Sequence, residues 1–420
     1  MPKALVIGAG PAGTASGLAL QRAGWDVAIC EAYSASASLD QGAFLTVARN
    51  GLDALEAIGV ADAVRDLGFV TRRMHFTSGT GKALGSMPLG PGVGGASPRT
   101  VLRTNLYTAL LDRAVAAGIA VHHDRRLVDA TGLRHGADTS PSNATASPPG
   151  ATTSPNGITA TFADGSTEHA DLLVGADGLR SRVRELIDPG APTPEPTGLG
   201  NVGAIATSVP DVDLSAAAAD GEYRMVWGRR CFFGYAVDPS GEVWWFANPP
   251  ERRDGAAHTL ESVAQLLDDD ASPAAAIVRA TTAPVLAGRQ LALPRVPTWQ
   301  RDRMVLVGDA AHAVSPATGQ GVSLAWEDAA LLGLHLAREP DPSVAIAAYV
   351  AARRERVDRI VKWGQRMGGA KAAGPVGRRI RDAMFPLVTR LASRESAMRK
   401  QAWLHEHHVD WADTARDLTH

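Results

Sequence analysis

Ala4-Leu5-Val6-Ile7 is an unbroken apolar run ending at Gly8, the pattern of a strand buried on both faces of a parallel sheet. Pro11 to Ala23 changes to an Ala- and Leu-rich helical pattern stopped by Gly24, and Asp26 to Cys30 returns to strand before Glu31. These segments predict one βαβ unit. Thr104 reads as the cap of a helix running to Gly118, with a strand at Ile119 to His122. Thr159 to Phe162, a turn at Asp164-Gly165, and Asp171 to Val174 continue the strand pattern. Pro189, Pro192, Pro194 and Pro196 mark a crossing into another domain. There Glu222 to Trp227, Cys231 to Val237 and Val243 to Asn248 predict antiparallel strands, the last two joined by a four-residue turn, Asp238-Pro239-Ser240-Gly241. Everything after Val322 reads as helix.

Between these patterns, residues 134–156 are Ser, Thr, Pro, Ala and Gly with almost no large apolar side chain, and predict a mobile low-complexity loop. Asn143-Ala144-Thr145 within it has the form of a glycosylation acceptor, which the absence of a secretion signal argues against. Ser78-Gly79-Thr80-Gly81-Lys82 resembles a phosphate loop but has Phe76 and Ala83 at two required positions. His405, His407 and His408 near Glu406 offer a metal-chelating pattern that a solvated helix face explains equally, and no metal is assigned. The 42 Lys and Arg against 44 Asp and Glu give no general attraction to nucleic acid or an anionic membrane. No run approaches the roughly 18 apolar residues of a membrane span. Cys30 and Cys231 show no pairing pattern, so the expectation is a soluble, cytoplasmic protein.

Three segments carry chemistry. In Gly8-Ala9-Gly10-Pro11-Ala12-Gly13, between a strand and a helix, Gly8 permits a tight turn, Gly10 a close pyrophosphate and Gly13 close helix packing, while Glu31 reaches a ribose hydroxyl. That pattern predicts dinucleotide binding and leaves FAD and NAD(P) both open. The second segment is Leu172-Leu173-Val174-Gly175-Ala176-Asp177-Gly178-Leu179-Arg180-Ser181-Arg182-Val183-Arg184. The third runs from Val305 through Gly308-Asp309, His312, Pro316 and Gly319-Gln320-Gly321 into Val322-Ser323-Leu324-Ala325-Trp326-Glu327-Asp328.

With Arg103 in Leu102-Arg103-Thr104-Asn105-Leu106-Tyr107, these ordered motifs resemble the single-component class A FAD-dependent monooxygenases, the para-hydroxybenzoate hydroxylase-like family, over residues 3 to about 365. The resemblance implies an α/β fold with a Rossmann-like FAD-binding domain (1–72, 97–185, 290–334). Interleaved with it is a smaller mixed or antiparallel sheet domain for substrate (73–96, 186–289), and a helical region follows (335–420). It implies FAD as cofactor, NADPH or NADH as transient reductant, O2 as co-substrate, and chemistry through a flavin hydroperoxide with no dedicated catalytic side chain. Carried over, Glu31 binds the adenosine ribose, Arg103 the pyrophosphate or ribityl region, and Asp309 the ribityl chain beside Gly308. Asp177 and Gly178 belong to a motif linked to FAD and nicotinamide. Pro316 lies against the flavin ring, the backbone around Gly319, Gln320 and Gly321 faces its pyrimidine edge, and Val322 and Val128 join the cofactor contacts. Ala32 and Ser323 stand where relatives often carry Arg and Asn. A helix starting near Gly321 brings unpaired N–H groups toward reduced flavin, while His312 reads as a loop residue.

For substrate, pairing Val237 with Glu242 places Tyr235 opposite Trp244 and Phe233 opposite Phe246, so that these four share one face as a pocket wall. Arg224 on the preceding strand is the candidate to orient a carboxylate, phenolate or carbonyl. Trp227, Trp245 and Trp363 read as core, and Arg353, Arg354, Arg356 and Arg359 as a solvated helix face. The expectation is a monomeric or homodimeric monooxygenase that hydroxylates or epoxidises an apolar, aromatic or polycyclic small molecule. The alternatives are a halogenase or reductase on the same scaffold, or a catalytically silent flavoprotein binding module.

Overall fold

The computed structural model describes residues 1–39, 44–90, 97–132, 157–282, 285–368, 375–392 and 395–411. The expected loop at 134–156 and its Asn143 lie outside them. A six-stranded sheet runs in the order Gln300–Arg301, Met304–Leu306, Leu172–Gly175, Lys3–Ile7, Asp26–Cys30, Ala120–His122, parallel throughout except for the first pair. Its strands are almost wholly apolar because both faces are covered. On one face the helices Pro11–Arg22, Arg103–Ala116 and Gly321–Arg338 form the largest core. On the other face, a three-stranded sheet (Leu127–Gly132, Ile158–Phe162, Thr167–Ala170) and the helix Arg182–Ile187 contribute. The helix at 103 begins at Arg103, with Leu102 as its cap residue and no side-chain capping bond. Thr104 is therefore inside the first turn and not the cap.

A seven-stranded sheet runs Leu286–Ala292, Glu195–Ala206, Val243–Asn248, Phe232–Val237, Glu222–Trp227, Arg73–Ser78, Ala83–Pro88. Glu222–Trp227 is antiparallel to Phe232–Val237 but parallel to Arg73–Ser78, so the sheet is mixed. Ser78 to Lys82, the phosphate-loop look-alike, is the turn between its last two strands.

The hairpin register corrects the expected pocket wall. Val237 pairs with Val243, Tyr235 with Trp245 and Ala236 with Trp244. The loop is one residue shorter than expected: Asp238 N–H donates to the Glu242 carbonyl, the Asp238 carboxylate accepts from the amides of Ser240 and Glu242, and Gly241 takes φ +94°. A slip of one residue moves alternate side chains to opposite faces. Phe233 and Tyr235 therefore lie with Trp245 under the helices Leu260–Leu267 and Ala274–Arg279, whereas Trp244 and Phe246 lie on the opposite face. Arg224 pairs with Tyr235 and shares the helix-covered side, with Nη2 3.5 Å from Glu222 Oε2.

Helices Gly321–Arg338, Pro342–Gly368, Pro375–Ala392 and Glu395–His405 dominate the C-terminal part. The arginines expected on a solvated face are not equivalent. Arg353 is wholly buried, Arg356 nearly so, Arg354 stacks on Trp299, and Arg359 covers Trp403.

Candidate flavin site

The carboxyl ends of four adjacent parallel strands bring together Gly308, Gly175, Gly8 and Glu31, which are scattered in sequence. This is where open α/β sheets bind ligands. Gly8 takes φ +106°, and a Cβ there would lie 2.5 Å from the Ala176 carbonyl oxygen. A Cβ on Gly13 would meet the Gly8 carbonyl oxygen at 1.8 Å, so both positions require glycine. A Cβ on Gly10 would touch nothing within 4 Å, leaving open space before the helix Pro11–Arg22. That helix has Pro11 in its first turn, no capping side chain and no acidic residue in that turn, which suits an anionic group. Ala12 lies against Gly308: a Cβ on Gly308, at φ +59°, would be 3.0 Å from the Ala12 Cβ. Buried Glu31 accepts the Ala9 amide at 2.7 Å and the Tyr33 amide at 3.0 Å, which aims the carboxylate at the mouth of the glycine turn.

Asp309 has an exposed edge, yet protein atoms surround it so closely that burial pushes its carboxyl above the usual range, against the charges of His312 and Arg103. An exposed carboxylate crowded by protein thus stands beside the Gly308 turn. Arg103 Nη2 donates to the Tyr107 hydroxyl, the guanidinium lies 5.4 Å over the Tyr107 ring, and its Nε is buried without a partner. A guanidinium whose charge reaches Asp309 and whose Nε lacks a partner is a candidate contact for a phosphate or polyol oxygen.

The sequence reading missed what holds the Asp309 turn. Asp328 Oδ2 accepts the Gly308 amide at 2.8 Å and lies 2.5 Å from His312 Nε2, while Oδ1 accepts Arg353 Nε at 2.7 Å. Next to it, Glu327 receives Arg353 Nη1 at 2.6 Å, Arg356 Nη2 at 2.7 Å and Asn50 Nδ2 at 2.7 Å. The acids lie on Gly321–Arg338 and the arginines on Pro342–Gly368, so their pairing depends on helix packing that no local pattern reveals.

Gln320, Gly321 and Val322 open the helix Gly321–Arg338, which has neither a capping side chain nor an acid in its first turn. Pro316 is exposed at the start of a 3₁₀ turn, and Gly319 ends that turn at φ +60°. Ser323 Oγ accepts the Ala48 amide at 3.1 Å, so this departure from the family pattern has a local use, docking the start of the helix Arg49–Ala57. The Gln320 side chain is turned away, accepting from Asn50 Nδ2 at 2.9 Å and reaching His405 Nδ1 at 3.3 Å. The three histidines therefore serve separate partners: His405 contacts Gln320, His407 faces Glu327, and His408 pairs with Asp53. Burial, reinforced by the Arg356 charge, pushes His405 down from 6.5 to about 4. Its folded form is thus neutral where the unfolded chain binds a proton, so the stability it contributes is complete above 6.5 and lost as pH falls toward 4. His405→Gln is expected to remove up to about 3 kcal/mol of the stability lost across that window, seen as a flatter profile of thermal midpoint against pH. Identical midpoint profiles for the variant and the parent would contradict this.

The Asp177 carboxylate is used by its own loop, accepting Ser181 Oγ at 2.5 Å and the amides of Arg182 at 2.7 Å and Val183 at 3.0 Å, with Gly178 at φ +74°. Arg184 of the same segment is buried and donates to the carbonyls of Ala310 at 3.0 Å and Leu179 at 2.8 Å, tying the second motif to the third. Val128 has an exposed side chain, and its carbonyl accepts Arg182 Nε.

On the face of the larger sheet opposite the helices Leu260–Leu267 and Ala274–Arg279, Trp244, Phe246 and Tyr223 gather around Phe44, with ring centroids 5.9, 6.1 and 6.3 Å from it. The Tyr223 hydroxyl bonds Thr46 and Thr100. Residues 44–51 thus run from this aromatic wall to the Gln320–Ser323 helix start.

A glycine turn, an acid at the second strand end, a carboxylate within reach of an arginine's charge and two open helix N-termini have the form of a dinucleotide-cofactor site. The model of the FAD binding domain family matches residues 1–364, and the chain belongs to that family. It is 30% identical to the aurachin C monooxygenase/isomerase of Stigmatella aurantiaca over 87% of this chain and 88% of that one. It is 28% identical to an FAD-dependent urate hydroxylase of Mycolicibacterium vanbaalenii, covering 86% of each. Among solved structures, Klebsiella pneumoniae HpxO complexed with FAD and uric acid superposes with a TM-score of 0.78 at 22% identity, over 96% of this chain and 97% of that one. A salicylate hydroxylase substrate complex superposes at 0.72 and 20% identity, over 99% and 97%. The chain is an FAD-dependent monooxygenase of the para-hydroxybenzoate hydroxylase-like class. Among the described residues, no helix is long and apolar enough to cross a membrane.

Proposed function

We propose that this enzyme hydroxylates an apolar, aromatic small molecule at the expense of NADH or NADPH and O2. The observation that carries the reading is the aromatic wall of Phe44, Tyr223, Trp244 and Phe246, joined through residues 44–51 to the helix start at Gln320 and Ser323. Bound FAD, reduced by the nicotinamide, supplies the electrons that let one atom of O2 enter the substrate while the other leaves as water. The chain's own part is placement and exclusion. Arg103 and Asp309 hold the phosphate and ribityl portion, and the Gly321 amides favour negative charge at the pyrimidine edge. The apolar wall stacks the substrate ring and keeps water away from the reacting atoms. Phe233, Tyr235 and Arg224, on the helix-covered face, are not part of this pocket.

Purification is expected to yield a yellow protein that releases FAD and oxidises NADH or NADPH faster when an aromatic substrate is present under O2, with oxygenated product. A colourless protein that FAD does not reconstitute would refute the reading. Phe246→Ala is expected to raise KM for the substrate by about 10- to 100-fold, the loss of roughly 1.5 to 3 kcal/mol of aromatic burial, with FAD content unchanged. Tyr235→Phe, on the covered face, should leave KM alone. The reverse outcome would restore the other face as the pocket.

A further inference from the structure

The helix Pro375–Ala392 lies on the edge of the larger sheet, where Thr389 Oγ1 donates to the Leu84 carbonyl at 3.0 Å and Phe385 packs edge-on against Phe76 and Trp227 at 5.1 and 5.7 Å. Its opposite side presents Ile380, Met384, Leu387, Val388 and Leu391, each between 42% and 59% exposed. Steps of four, three, one and three residues put all five within about 100° of helix circumference, one continuous stripe. They are five of the eleven exposed large hydrophobic side chains among the described residues, so the exposure is concentrated on this one helix. Arg379 and Arg390, both exposed, line the same rim of the stripe, and the helix carries four arginines against a single aspartate, Asp382, which is paired with Arg381.

We propose that this helix docks the enzyme on an anionic lipid surface, lying in the interface with its apolar stripe among the acyl chains and its arginines at the headgroups. A basic-rimmed amphipathic helix without the length or hydropathy to span is suited to that position. The rim argues against a second copy as occupant. A two-fold antiparallel pairing of the stripe sets Arg379 of one chain beside Arg390 of the other, with no acidic side chain on either helix free to separate them. The balanced charge of the whole chain conceals this patch because its excess is local. Docking also brings the apolar cluster around Phe76 and Trp227 within about one helix diameter, roughly 10 Å, of the lipid.

The test is flotation of the FAD-loaded full chain with phosphatidylcholine vesicles and with vesicles that also contain phosphatidylglycerol. It is independent of the substrate assignment. The expected result is binding about 10-fold or more stronger to the anionic vesicles at low salt, weakening as salt is raised. Arg379→Glu with Arg390→Glu should remove the preference for phosphatidylglycerol. Leu387→Glu with Leu391→Glu should abolish binding while the visible flavin spectrum and circular dichroism stay those of the parent. An enzyme that floats with neither vesicle overturns the proposal. So does one that sediments as a dimer disrupted by Leu387→Glu, since the stripe is then covered by a second copy.

Discussion

Arg353→Met is expected to cost about 3 to 5 kcal/mol of stability, the range for removing one partner of a buried ion pair and leaving its acids uncompensated. Arg353 is wholly buried and spans Asp328 at 2.7 Å and Glu327 at 2.6 Å, both themselves fully buried. Burial opposes ionisation of both acids, yet Arg353 and Arg356 beside Glu327, and His312 and Arg353 beside Asp328, hold both carboxyls below their usual range. Methionine fills similar space but returns none of that charge. For cooperative unfolding of a chain this size, the thermal midpoint should fall by about 3 to 6 °C. Because Asp328 also grips the Gly308 amide and His312, the loss should extend to FAD retention. A midpoint within about 1 °C of the parent would show that the network is neutral to stability, as some buried ion pairs are against an apolar substitute.

Asp309→Ala is expected to weaken FAD binding by about 10- to 100-fold, the value of a charge-assisted hydrogen bond of roughly 1.5 to 3 kcal/mol, read by flavin fluorescence on titration of the apoprotein. Asp309→Asn should lose less, since an amide oxygen still accepts from a ribityl hydroxyl. The protein itself should stay folded, because Asp309 is exposed while Asp328 anchors the turn through the Gly308 amide. If Asp309→Ala retains FAD as the parent does, the ribityl chain lies elsewhere.

The FAD-binding sheet was legible because its signals are local. Runs such as Ala4 to Ile7 and Leu172 to Val174 have no other stable use than a strand covered on both faces, and Gly8 and Gly13 are required by contacts under 3 Å. The substrate face was not legible, for a reason that can be located at one turn. Whether Asp238 closes the hairpin against Glu242 or lies within the loop decides which face receives Tyr235 and which receives Phe246. The answer rests on three hydrogen bonds to Asp238 and one left-handed glycine. Phe44, missed altogether, belongs to a short strand paired with Arg99–Leu102, so its place beside Trp244 depends on partners distant in sequence. The network of Asn50, Glu327, Asp328 and Arg353 was hidden for the same reason: Arg353 looks solvated on its own helix and becomes buried only beneath its neighbours.

Trp326 donates its indole N–H to the Pro11 carbonyl at 3.1 Å, and the helices Pro11–Arg22 and Gly321–Arg338 press against each other beside the first strand. On a ribosome making about 5 to 20 residues per second, the N-terminal βαβ unit therefore waits roughly 15 to 60 s for the helix that covers it. During that interval Pro11–Arg22 is covered by the sheet and by Arg103–Ala116 but lacks Gly321–Arg338, so part of its apolar surface stays without its final partner. The cofactor cleft can close only after Arg338 has been added.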